Sequence, residues 1–74
     1  MSEITEALRN EEDGLLNKIR KLEHFIKENE TFKKQPYSVQ YFMRMQLAAM
    51  RNYDYYLRQR ITYLEACEKT SYQE

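Results

Sequence analysis

The chain is expected to be all-α, an antiparallel two-helix hairpin that assembles into a homo-oligomeric helical bundle. Three observations predict this. One glycine and one proline in 74 residues leave few places to break a helix. Apolar residues recur at steps of three and four on both sides of the proline. The second apolar run also spreads over more than one side of its helix, which a single partner helix cannot cover.

The first helix is expected over about residues 3–29. Ser2 is placed to cap it, and Ile4, Leu8, Leu15, Ile19, Leu22 and Ile26 supply the apolar seam. From Leu15 to Ile26 the steps of four, three and four are those of a coiled-coil-like contact. Gly14 interrupts the start of that seam. It reads either as a tolerated glycine costing about 1 kcal/mol or as a break, and a lone glycine favours continuity.

Residues 30–37 form the connection, because Pro36 disfavours helix at residue 35. So short a link sets the two helices side by side and antiparallel. Within it Phe32, Lys33, Lys34 and Tyr37 combine rings and cations, read as a hydrophobic plug for the end of the hairpin or as an anion cradle. Ser38 is the expected N-cap of a second helix running to about Glu68, and the polar tail from Lys69 is expected to fray. Met43, Leu47, Met50, Leu57, Ile61 and Leu64 make its seam, with Asp54 as the polar exception. Tyr41, Met45, Ala48, Tyr55, Tyr56 and Tyr63 fall on other faces. Residues 1–74 make one domain, whose core is too small to supply more than about 3–5 kcal/mol without a staple or a partner.

Composition narrows the function. A single cysteine, Cys67, excludes an intrachain disulfide, and one Cys with one His cannot build a structural zinc site. Absent disulfides fit a reducing compartment, so a cytoplasmic protein is expected. No apolar run approaches the ~18–20 residues of a membrane span. Twelve basic residues balance twelve acidic ones, so no net field draws in DNA, RNA or anionic lipid. The balance conceals an asymmetry: residues 1–13 carry a net charge of minus four and residues 37–64 a net charge of plus three. Acidic residues early in a helix also suit its dipole.

No enzyme and no cofactor are expected. The chain has no Gly-rich phosphate loop, no HExxH, no CxxC and no serine elbow. His24 lies on a charged helix stretch without a positioned partner, and Cys67 is flanked by Glu65 and Glu68. The most specific feature is a stripe on the second helix. Arg44, Arg51 and Arg58 repeat every seven residues, with Tyr41 three before Arg44 and Tyr55 four after Arg51. Guanidinium forks beside stacking rings are the chemistry of a nucleotide site. The same stripe also reads as a solvated face whose arginines pair with acids of helix one or of a neighbouring chain.

The stretches Leu15–Ile26, Gln46–Tyr53 and Leu57–Ile61, within residues 12–64, resemble small proteins of phages and prophages related to a crAss-like phage family. Gly14 departs from the continuous charged helix of that pattern. More distantly, the order of opening helix, Pro-bearing turn and long helix with small residues at its middle resembles the phage anti-CBASS sponges. That resemblance implies a class of function, a homo-oligomer sequestering a nucleotide signal, and transfers no ligand contacts. The residues expected to hold a cyclic nucleotide or ADP-ribose-type signal, Arg44, Arg51, Arg58, Tyr41 and Tyr55, are those of the stripe itself. A protein-binding adaptor gripping a partner through its tyrosine-rich second helix is the alternative.

Overall fold

A computed structural model describes residues 2–71. The chain is all-helical there, as expected: α1 spans Glu3–Glu28, a one-turn α2 spans Glu30–Lys33, and α3 spans Tyr37–Ser71. Partner residues climb along α1 as they descend along α3. Ser2 meets Glu68, Arg9 meets Glu65, Glu12 meets Arg58 and Glu23 meets Arg51. The two long helices therefore run antiparallel, in a rod of 59 × 15 × 14 Å.

Local chemistry sets the ends. The Ser2 hydroxyl accepts from the Thr5 amide at 3.2 Å, capping α1 as the sequence predicts. Asn29 closes α1 and opens α2 at once: its amide donates to the Phe25 carbonyl at 3.1 Å, while its side-chain oxygen accepts from the Thr31 amide at 2.7 Å. This double role turns the expected loop over residues 30–37 into a short helix and a tight turn. Ser38 is not the cap of α3. Helix begins at Tyr37, and the Pro36 carbonyl accepts the first bond, from Gln40 at 3.0 Å. Proline suits that position because it leaves no unsatisfied N–H. The Gln40 side chain donates to the Gln35 carbonyl at 2.9 Å and locks the turn. α3 continues through Lys69 to Ser71, and the rest of the tail lies outside the described residues.

The core is one seam. Leu8, Leu57 and Ile61 are buried together, with Leu15 and Leu64 packed against them, and Ile19, Leu47 and Phe32 are buried along the remaining length. Two expectations need correction. Ile4 is 66% exposed, and its neighbour Thr5 takes the inward position at 0%. The Thr5 hydroxyl donates to Glu68 at 2.7 Å, which satisfies the buried oxygen and turns this residue inward in place of Ile4. Tyr37 takes no part in the plug: it is 82% exposed, whereas Phe32 is 2% exposed, edge-on to Phe25 and beneath the Arg44 guanidinium at 5.2 Å.

Gly14 sits inside a continuous α1. A Cβ built there meets no atom within 4 Å, and its φ is not positive. Gly14→Ala should therefore raise stability by about 0.5–1 kcal/mol in urea unfolding, since it removes backbone freedom from the unfolded chain. Leu57 is fully buried and Leu22 only half-buried. Leu57→Ala should cost about 2–5 kcal/mol, with Leu22→Ala clearly the milder; equal losses would contradict this register.

Candidate functional site

The α1–α3 pair has two flanks of different character. Side chains three and four apart share a helix face. On α1 this rule sends Glu12 and Glu23 to one flank and Glu11, Lys18, Lys21 and Phe25 to the other.

The first flank is a ladder of ion pairs. Arg9 meets Glu65, and Arg51 meets Glu23, which also lies 4.0 Å from Lys27. The Arg58 Nε sits 2.7 Å from Glu12 and 3.1 Å from Asp54. The hydrogen bond that Arg58 donates to Glu12 and the charge of Asp54 hold the Arg58 guanidinium above its ordinary pKa. Glu12 and Asp54 side chains are only 14% exposed. One guanidinium thus serves two carboxylates in the interhelical seam, and the Asp54 Oδ1 is left there without a protein partner. This is how an acid is tolerated among leucines: its charge is compensated within the layer.

The five residues of the proposed stripe divide accordingly. Arg51 and Arg58 reach across to acids of α1, and Arg44 lies over Phe32 at the turn. Tyr41 and Tyr55 are 51% and 56% exposed, each edge-on to its neighbour, Phe42 and Tyr56. The rings look outward from the pair while the guanidiniums lean back onto it. Tyr41, Phe42, Met45, Tyr55, Tyr56 and Tyr63 are all exposed, and Ala48 and Ala49 lie exposed between them. This is a broad aromatic face on the side of α3 turned away from α1.

The second flank is open. Tyr53 donates to Glu11, a bond that raises the phenol's pKa. Next to this pair lies a recess of about 340 Å³ with Gly14, Leu15 and Lys18 in its wall. Lys18 also belongs to the adjoining recess, of about 420 Å³, lined by Lys21, Phe25, Met43, Gln46 and Met50. No acid among the described residues forms an ion pair with Lys18 or Lys21. Sequence reading passed over these lysines. Their signal was the spacing 11, 14, 18, 21, 25, which puts Lys18, Lys21 and Phe25 on one face.

His24 and Cys67 are both exposed. Among the described residues no group of three His, Cys, Asp or Glu is placed to hold a metal, and no helix is long and apolar enough to cross a membrane.

The class that the fold defines is a small helical pair with one flank closed by ion pairs, one open flank and an exposed aromatic face. The family model named Sequestin matches residues 2–63, so the chain belongs to the Sequestin family. The match says nothing of the crAss-like phage proteins. No curated protein and no solved structure matches the chain.

At the helix ends, Glu68 accepts hydrogen bonds from Ser2 and Thr5 that hold its carboxyl below the usual carboxylate range. A depressed pKa contributes stability that is present above the unfolded value and is lost as pH falls through the folded one. Glu68→Gln should therefore melt below the parent at neutral pH. The gap should narrow only as pH falls below the ordinary carboxylate range, and close once the parent's carboxyl is protonated in the folded state as well; a gap independent of pH would contradict the assignment.

Proposed function

We propose that this protein is a non-enzymatic phage protein of the host cytoplasm that self-assembles and sequesters a nucleotide immune signal. Membership of the Sequestin family, whose name speaks of sequestration, is the observation that carries this reading. The aromatic face supports the assembly half of it. Tyr and Met suit partly wet interfaces, and Ala48 with Ala49 allows a second helix to approach closely. A pair of helices this thin gains little from its own core, which adds a reason to associate.

On the ligand side, Arg44, Arg51 and Arg58 with Tyr41 and Tyr55 remain one surface for a nucleotide. Use of Arg51 and Arg58 there requires Glu23 and Glu12 to release them. The Arg51–Glu23 pair is the more exposed, and such pairs are worth only about 0–1 kcal/mol. Release of Arg58 costs more, because it leaves the mostly buried Glu12 and Asp54 without their cation. The exposed aromatic face equally suits a protein partner, the reading in which the chain is an adaptor.

Two measurements test the proposal. Light scattering at micromolar concentration should give at least a dimer, and Ala48→Glu should dissociate it by placing an unpaired charge in a close contact. A panel of cyclic di- and trinucleotides and ADP-ribose derivatives should include a member that raises the melting temperature. A ligand at a hundred times its Kd adds about 2.7 kcal/mol. A monomer would refute the assembly, and a panel without effect would favour the adaptor.

A further inference from the structure

We propose that the recess between Lys18 and Lys21 of α1 and Met43 and Met50 of α3 is a nucleotide-binding site, with phosphate on the two lysines and base on the apolar floor. The inference rests on the nucleotide-sequestering reading and supplies a place for it.

Four observations carry it. Lys18 and Lys21 are exposed, one helical turn apart, and form no ion pair with a described acid, whereas Arg51 and Arg58 on the opposite flank are each held by a carboxylate. An anion entering the recess thus displaces no ion-pair partner among the described residues. Second, the apolar lining of the recess is Leu22, Phe25, Met43 and Met50, all half-buried. Polarisable thioethers and a ring offer contact to a flat heterocycle and nothing specific to a bare ion. Third, the Gln46 amide lines the recess, and it both donates and accepts, as the edge of a base requires. Fourth, the recess offers about 420 Å³ of shallow, open space, and it adjoins a second recess that shares Lys18 and has Glu11 in its wall.

The floor also provides the assay. Met43 and Met50 line the recess, while Met45 is 47% exposed on the aromatic face. With the methionine methyls labelled and assigned, cyclic di-AMP and ADP-ribose are titrated into the full chain. At least one should move the Met43 and Met50 signals and leave Met45 unmoved, and Lys18→Gln with Lys21→Gln should weaken its binding at least tenfold. Both lysines are exposed, so the double variant should keep the parent's helical circular dichroism. Equal shifts from inorganic phosphate at the same concentration would reduce the recess to an anion site and overturn the nucleotide assignment. Binding that survives the lysine changes but is lost in Arg44→Gln, Arg51→Gln and Arg58→Gln together would overturn the recess and keep sequestration. No methyl response to either probe would also overturn the recess; the thermal panel then decides separately whether sequestration stands.

Discussion

Two helices share one interface, and everything else in this protein follows from how α3 spends its surface around that limit. α1 covers the stripe of Leu47, Leu57 and Ile61 and can reach no further round. The apolar residues beyond that stripe, Tyr41, Phe42, Met45, Tyr55, Tyr56 and Tyr63, are left in water by geometry and not by composition. A solvated stripe would ordinarily be polar. Their clustering on one side of one helix is the feature that most needs a partner to explain it.

The same limit decides the electrostatics. With one flank of the seam carrying Glu12, Glu23 and Asp54, the arginines of α3 complete an ion-pair ladder that fixes the register of α3 against α1. The opposite flank carries Glu11, which is bonded to Tyr53, and no described acid there pairs with Lys18 or Lys21. Its cations stand free beside methionine and phenylalanine, so the neutral chain carries a locally basic recess. Of the acidic start and basic middle of the sequence, Glu12 and Arg58 pair across the helices.

Much of the fold was legible in the residues. Steps of three and four, one proline and a shortage of glycine identify two long helices, and the seven-residue recurrence of leucine and isoleucine locates the seam. What the pattern could not show is register. Whether Ile4 or Thr5 points inward depends on Glu68 standing opposite, 63 residues away. That Asn29 serves two helices depends on its backbone turning extended at that point. The stripe of Arg44, Arg51 and Arg58 was visible as a repeat, but its acids lie on the other helix and become neighbours only once the pair is aligned. Conversely, Lys18 and Lys21 look like ordinary helix-surface lysines until Met43 and Met50 arrive beneath them.

In the proposed assembly a second copy of the chain covers the outward face of α3, so that folding and association are coupled. Urea unfolding followed over a hundredfold range of protein concentration tests it most directly. Coupled folding of a dimer adds about 1.4 kcal/mol of apparent stability for each tenfold rise in concentration, so the midpoint should climb steadily across the range. A midpoint that stays fixed over the whole range would show that the helix pair stands alone, and would contradict the claim.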